Sequence, residues 1–491
     1  MGLSNHSLIL KNDGTLWGCG NNGSGQLGLG DTTNRTAFTQ ATTNTDNIKS
    51  VYCGSEYTLI LKNDGTLWGC GYNGYGQLGL GDTANRYTFT KITTNADNIK
   101  EVRCGGNYTI ILKNNGTLWA CGDNSYGQLG LGDNTIRTTF TEITTNADDI
   151  KQVYCGYDYT FILENDGTSW GCGKNDYGQL GLGDINHRTT FTQVTTNAND
   201  IKEIYCGYDH TLILKNNGTL WGCGYNANGE LGLGDTTNRN IFTHIDTNTD
   251  DIKEVYCSNY HNVILKNDGT LWTCGHNNDG RLGLGYNGNI ATFTQIITIT
   301  DNIKEIYCGG GCTFILKNDD TLWGCGYNND GRLGLGDAYS RDIFTQITTN
   351  IDDIKSFPNQ YNIPFITKIY DLNTGLIETL DTNNFKNIPV DKFEKIKVLY
   401  TNPAGTYINC LLSFDNKTTW KTFNGTNWSV ISDTTPNNIL LNGMDISKVN
   451  ELDKNKLIAG GFTGDIDFRI AMKTNDNTVT PSITKIYILY C

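Results

Sequence analysis

Trp17, Trp68, Trp119, Trp170, Trp221, Trp272 and Trp323 follow one another at intervals of 51 residues, with no insertion or deletion between them. A fixed period of roughly 40–50 residues marks an array of supersecondary units, and propeller blades are typical at this length. The second copy shows how such a unit is built. Ile48 to Cys53 and Tyr57 to Lys62 read as strands. Asn63-Asp64-Gly65 reads as a tight hairpin, with Asp-Gly supplying the positive φ values of a primed turn. Thr66 to Cys70 is a third strand, Gly71 to Gly81 a long loop and Tyr87 to Ile92 a fourth strand. Four antiparallel strands repeated seven times predict an all-β fold, a seven-bladed β-propeller over residues 1–357. The chain begins within two residues of blade one's second strand, and Ile354-Lys355-Ser356-Phe357 matches the first strand of the other blades. Residues 351–357 are therefore expected to complete blade one and close the ring, which removes free sheet edges.

Residues 358–491 lack the repeat. They read as strands and turns, PFITKIYDL, KIKVLYTN, YINCLLSFDN, TWKTFNGTNWSVIS and SITKIYILYC, which predicts a C-terminal β-sandwich or jelly-roll-like domain. Within it, TWKTFNGTNW has the form of an ordinary hairpin turning at Asn424-Gly425.

The formal net charge of −14 has the wrong sign for a nucleic-acid partner, which calls for basic patches. No apolar run approaches a bilayer span, so membrane insertion is not expected. The N-terminus lacks the features of a secretory signal, so synthesis in the cytoplasm and exit by a route such as lysis are expected. The sixteen cysteines are mostly repetitive: one follows each tryptophan by two positions, and Cys53 with its repeats precedes one by 15. Gly2 stands where blade one would carry the second, so free, buried thiols are expected rather than in-blade disulfides. Zinc-type and EF-hand spacings are missing, and neither metal nor cofactor is expected.

The strings LxLKxDGTLWxxGxNxxGQLGxGD resemble the regulator of chromosome condensation repeat over about three quarters of the chain. The resemblance implies the propeller fold. The eukaryotic namesake is a nucleotide exchange factor that uses basic extensions and a β-wedge, neither of which appears in these equal-length repeats. Bacterial relatives include a β-lactamase inhibitor that grips its target with aromatic residues on one face. LLSFDNKTTWKTFNGTNW and the final KIYILYC resemble β-domains of tail and fibre proteins from phages and phage-like particles of Gram-positive bacteria.

The repeats give seven samples of every blade position, so what stays constant is scaffold and what varies is free for function. The NDG turns and TTNADNIK links scarcely change, and both fall at one end of each blade. The other end varies and is rich in tyrosine: Tyr72, Tyr75, Tyr126, Tyr157, Tyr177, Tyr208, Tyr225 and Tyr260 are the candidate binding face. The pairs Asp31/Arg35, Asp82/Arg86, Asp133/Arg137, Asp184/Arg188, Asp235/Arg239 and Asp337/Arg341 recur together, and blade six loses both members at once, to Tyr286 and Ile290. Joint loss predicts a loop-closing ion pair, because deleting one partner strands the other charge. Gln26, Gln77, Gln128 and Gln179 give way to Glu230, Arg281 and Arg332, so the ring is not electrostatically uniform.

Catalysis finds little support. His6, His210 and His261 share the blade position of Tyr57, Tyr108 and Tyr159, which argues for packing rather than a general base. Asp352-Asp353 lies in a linker, and no serine or cysteine sits in a nucleophile elbow. These features predict a non-enzymatic recognition protein. The C-terminal resemblance implies the receptor-binding part of a phage or phage-like bacteriocin tail, acting outside the producing cell within a virion-like particle. Its partners would be a cell-surface glycan or protein and, through the C-terminal domain, baseplate or other particle proteins, with a homo-oligomer possible. The alternative is a propeller inhibitor or adaptor with one protein partner; a guanine nucleotide exchange factor is disfavoured.

Overall fold

A computed structural model describes residues 4–144, 149–246, 248–299, 302–349 and 354–356, and beyond them seven C-terminal strands. The chain divides into two units, Met1–Tyr361 and Asn362–Cys491. The first contains seven four-stranded antiparallel sheets, one per repeat. Blade one contributes β1 (His6–Lys11), β2 (Leu16–Gly20) and β3 (Arg35–Ala41). Blade two is β4 (Ile48–Cys53), β5 (Tyr57–Lys62), β6 (Leu67–Gly71) and β7 (Arg86–Ile92), paired in chain order. Ile354–Ser356 pairs with β1, Leu10 opposite Ser356 and Lys11 opposite Ile354, and supplies the fourth strand of blade one. Residues 351–353 and 357, including Asp352-Asp353, lie outside the described residues.

The first strands of successive blades touch one another, which places them innermost around the axis. The core lies between blades. Leu59, Leu61 and Leu78 of blade two pack with Val102, Cys104, Cys121 and Phe140 of blade three. The same arrangement joins blade seven to blade one, where Phe314, Leu316 and Leu333 meet Ile9, Cys19, Phe38 and Ile354. Each such side chain contributes about 1.5–3 kcal/mol on burial. The glycine loop makes this approach possible: Gly79 has φ +68°, and a Cβ there would come within 2.8 Å of Phe140 in the next blade.

The hairpin differs from the sequence expectation. The Gly65 N–H donates to Lys62 O at 3.0 Å and the Lys62 N–H to Thr66 O at 2.9 Å. Gly65 is left-handed at φ 81° while Asn63 and Asp64 are not, so this is a type I turn followed by a left-handed glycine, not a two-residue primed turn. Its polar contacts explain the longer form. Asp64 Oδ1 accepts the Thr66 N–H and hydroxyl at 2.9 and 2.7 Å, and Thr66 Oγ1 accepts the Trp68 indole N–H at 2.9 Å. Lys62 Nζ then sits 4.4 Å from the Trp68 ring centre and 2.8 Å from Asp46. One fastening therefore uses the Lys, Asp, Thr and Trp of the repeat. Blade seven breaks the pattern with Asp320, left-handed at φ 62°. Replacing Asp320 by Gly should raise stability by about 0.5–1 kcal/mol, read from the urea midpoint, because only the side chain makes that conformation costly. The exposed Asp320–Lys304 pair, lost in the variant, offsets little of this.

A second fastening runs around the ring. The hydroxyls of Tyr57 and Tyr108 donate to the main-chain oxygens of Tyr108 and Tyr159, and Tyr159 Oη donates to His210 O at 2.5 Å. His6 Nε2 lies 2.8 Å from Thr58 Oγ1, and His261 Nε2 2.8 Å from Thr313 Oγ1. Tyrosine and histidine are interchangeable here because each carries an aromatic body and a polar tip that reaches the following blade. The cysteine thiols of the third strands do similar work: Cys70 and Cys121 donate to the carbonyls of Gln26 and Gln77 in the preceding blade. The fourteen cysteines among the described residues of the first unit are free and buried.

In the second unit the described strands form two antiparallel sheets. Phe393–Thr401 pairs with Ser482–Tyr490. Thr406–Ser413 pairs along its length with Asp467–Thr474, and at separate points with Trp420–Phe423 and Met444–Asp445; Trp428–Ile431 pairs with Trp420–Phe423. Four of the five segments read as strands from the sequence lie on these strands. PFITKIYDL and the Asn424-Gly425 turn lie outside the described residues.

Candidate functional site

In every blade the loops after the first and third strands emerge at the end opposite the NDG hairpin, as the antiparallel order requires. The first-strand loops, being innermost, rim the mouth of the central channel. They are tied in sequence by main-chain hydrogen bonds: Asn5 to Ser55, Ser55 to Gly106, Gly106 to Tyr157, Tyr208 to Asn259 and Gly310 to Ser4.

All eight candidate tyrosines are partly buried. The structure sorts them into two tiers. Tyr157, Tyr208 and Tyr260 come from three successive inner loops and stack in one row: ring centres are 4.0 Å apart for Tyr157–Tyr208 and 5.2 Å for Tyr208–Tyr260, at interplanar angles of 24° and 22°. Tyr157 begins the row over Gly106, where a Cβ would come within 3.0 Å of its ring. Rings held by stacking on both sides lose little freedom on binding, which suits them as contact anchors. Tyr72, Tyr75, Tyr126, Tyr177 and Tyr225 belong to the outer loops. Tyr177 packs edge-on to Tyr225 at 4.9 Å, Tyr72 edge-on to Tyr75 at 6.2 Å and Tyr126 edge-on to His187 at 5.0 Å.

Lys174 joins the tiers. Its Nζ lies 5.6, 5.8 and 5.9 Å from the ring centres of Tyr126, Tyr177 and Tyr208, within cation–π range, and 3.1 Å from Asp209 Oδ1. Gln179 Nε2 donates to the same carboxylate at 2.9 Å. Burial pushes Asp158 up to about 7; Lys174 opposes the shift, while Asp123 and Asp209 add to it. Burial likewise raises Tyr260 to about 12, so the row is neutral phenol at ordinary pH. Asp123, Asp158, Lys174 and Asp209 count in the sequence only as variable positions. Their meeting across blade interfaces appears in the structure alone.

The structure brings all six Asp–Arg pairs together. Asp31 meets Arg35, Asp82 Arg86, Asp133 Arg137, Asp184 Arg188, Asp235 Arg239 and Asp337 Arg341, with Nη2–Oδ2 distances of 2.5–2.7 Å. Each arginine is the first residue of its blade's outermost strand, so in blade two that strand starts at Arg86 rather than at Tyr87 as the sequence suggests. Each also donates to the carbonyl two residues before it. Arg35, Arg86 and Arg137 reach Thr33, Ala84 and Thr135, while Arg188, Arg239 and Arg341 reach Asn186, Thr237 and Tyr339. Asp31 and Asp82 accept from Asn22 and Asn73. The arginine hydrogen bond, ahead of any other influence, holds Asp31 and Asp82 below the usual carboxylate range.

The pairs close the loop, but the reason for their joint loss needs correcting. Their arginine side chains are 22–24% exposed and their aspartates 33–49%, so water would solvate a charge left alone. Half-exposed pairs of this kind contribute about 0–1 kcal/mol each. What Arg35, Arg137, Arg188, Arg239 and Arg341 share with Arg86 is geometric: one guanidinium ties the aspartate to the turn carbonyl and fixes the loop where the strand begins. In blade six, which has neither residue, Asn277 Nδ2 still reaches the carbonyl of Tyr286 at 2.7 Å. The substituted Gln positions diverge: Arg281 and Arg332 pair with Asp279 and Asp330 of their own loops. Among the described residues no group of three or more His, Cys, Asp or Glu side chains could hold a metal ion.

The RCC1-like domain family matches this chain over residues 3–195 and 143–363. The ultraviolet-B receptor UVR8 of Arabidopsis thaliana is 28% identical over 347 residues, 69% of this chain and 79% of the receptor. The human X-linked retinitis pigmentosa GTPase regulator is 31% identical over 328 residues, covering 62% of this chain and 31% of the regulator, so the chain spans less than a third of that relative. Among solved structures, Prp20p of Saccharomyces cerevisiae superposes with a TM-score of 0.63 at 19% identity, over 72% of this chain and 88% of that one. Human WBSCR16 gives 0.61 at 22%, over 70% and 94%.

Proposed function

The chain belongs to the RCC1-like domain family, and on that premise we propose that it is a non-enzymatic recognition protein whose propeller binds a protein at the mouth end. The stacked row of Tyr157, Tyr208 and Tyr260 carries this reading: it is aromatic, partly open and set in place before any partner arrives. Prp20p, which shares the fold, has binding properties toward Gsp1p and histones, which supports the use of such a propeller on proteins. A photo-crosslinking side chain placed at Tyr225 should capture a partner, and one at Asn114 in an NNG hairpin should not. Replacing Tyr157, Tyr208 and Tyr260 together by Ala should abolish the capture. Crosslinks from Asn114 alone would overturn the reading.

A narrower setting, the receptor-binding part of a phage-like tail acting outside the cell, is supported by the likeness of residues 411–428 to tail and fibre β-domains. In that setting the partner is a bacterial surface glycan or protein, and the second unit attaches to the particle. Binding of the purified chain to intact Gram-positive cells, lost when Tyr75, Tyr126 and Tyr177 become Ala, is the expected result. Unaltered binding by that variant would move recognition away from the propeller.

A further inference from the structure

The surroundings of Lys174 recur one repeat earlier with the lysine missing. Subtracting 51 from Tyr126, Tyr177 and Tyr208 gives Tyr75, Tyr126 and Tyr157; from Gln179 and Asp209, Gln128 and Asp158; from Lys174, Asp123. Five of six positions are identical, and the sixth changes from a cation to an anion. No other blade repeats the set. One blade further back the inner-loop tyrosine is Gly106, and one blade on the acid is Tyr260.

The unfilled copy shows a deficit. Gln128 and Gln179 are anchored alike, each Oε1 accepting a main-chain N–H, from Tyr126 at 2.9 Å and from Tyr177 at 3.0 Å. Their Nε2 groups therefore face equivalent places. Gln179 Nε2 finds Asp209, whereas Gln128 Nε2, on a side chain 0% exposed, has no hydrogen-bond partner. Asp158 is 8% exposed and Asp123 6% exposed, two carboxylates where the next blade has a carboxylate and an ammonium. Asp123 Oδ1 accepts the Ser125 N–H and hydroxyl at 3.0 and 2.6 Å, and Lys174 acts on Asp158 from a distance. The two charges are thus only partly offset, and buried like charges are costly.

We propose that the gap between blades three and four, lined by Tyr75, Tyr126, Tyr157, Asp123 and Asp158, receives the ammonium group of a lysine side chain from a protein partner. The inference rests on the recognition reading above and names the chemistry recognised there. An organic ammonium suits three tyrosine rings, whereas a hard metal ion requires a shell of oxygen ligands. Lys174 supplies the template for how such a group sits. It is also the one lysine at the mouth end among the described residues of the propeller.

The test uses the full chain and the peptide acetyl-Gly-Gly-Lys-Gly-Gly-amide, with its Nε-acetyl-lysine counterpart as the neutral control, titrated by calorimetry. The lysine peptide should bind roughly tenfold or more tightly than the control. Asp158→Asn and Asp123→Lys should each abolish the difference, the second by filling the cage from within. Asp158→Asn alone carries the test if Asp123→Lys does not fold. Equal binding of the two peptides, or a difference that survives Asp158→Asn, overturns the proposal. So does calcium chloride binding in place of the peptide with the same dependence on Asp158, since that would make this an inorganic cation site. Failure here with mouth-end crosslinking intact leaves the recognition reading standing; loss of the crosslinks removes both.

Discussion

A chain ending at residue 350 should be markedly less stable than one ending at residue 361, although only eleven residues separate them. The longer form retains Ile354–Ser356, the strand that pairs with β1 and completes blade one. The shorter form exposes the inner edge of β1 and removes Ile354, which lies 4% exposed among Phe38, Phe314 and Leu316. Losing that side chain and opening the packing around it should cost roughly 3 kcal/mol or more. The bare edge adds a tendency to pair with other chains. Differential scanning calorimetry and light scattering of both truncations read the result. Equal midpoints and equal monomer content would mean that the ring is held by its neighbouring blades without this strand.

The propeller was legible because its signal is repeated. Seven tryptophans at one spacing fix the number of units, and each hairpin and glycine loop is sampled seven times. The loop pairs announced themselves through blade six, where Tyr286 and Ile290 replace both partners. Their half-exposed setting did not, since spacing says nothing of how much water reaches Asp133 and Arg137 or Asp235 and Arg239. The tyrosines could be assigned to one end of the ring, because strand order alone decides which loops share an end. Their stacking could not be assigned. Whether Tyr157 lies on Tyr208 depends on how far each loop leans toward the next blade, and here the missing side chain of Gly106 decides it. Lys174 and Asp209 meet across a blade interface at a separation of 35 residues, which is not the repeat spacing. Once that single contact is known, the repeat supplies the rest, and Asp123 is recognised as facing Asp158. The hairpin turn type was misread because Asp-Gly is shared by two turn families, and the Asp64–Thr66–Trp68 bonding selects between them. The C-terminal unit offers one sample of each strand, so no such internal comparison is available there.

His210→Tyr should protect the fold against acid. His210 is wholly buried, and burial, partly offset by Asn262, lowers its pKa from 6.5 to about 4. His6 is lowered to about 3 and His261 falls well below its usual value, in both cases by burial first and by Arg332 or Arg281 second. A folded-state pKa below the unfolded value means that the unfolded chain takes up the proton first. The stability tied to a neutral histidine is then complete above pH 6.5 and drains away as pH falls from there toward 4. At about 1.4 kcal/mol per pH unit, the His210 share approaches 3 kcal/mol at the lower limit. Buried acids work in the opposite sense: Asp158 and Glu305, pushed up to about 7 chiefly by burial, favour the folded state as pH drops from 7 toward 4. The wild-type profile mixes the two, so the difference between proteins is the informative quantity. Tyrosine is the natural replacement, since Tyr159 fills the same position one blade earlier and donates its hydroxyl hydrogen bond to the next carbonyl, His210 O. Urea titrations at several pH values should show a stability difference that is constant above pH 7, grows in favour of the variant below 6.5 and levels off near 4. A difference independent of pH would show that His210 takes up its proton without unfolding the ring.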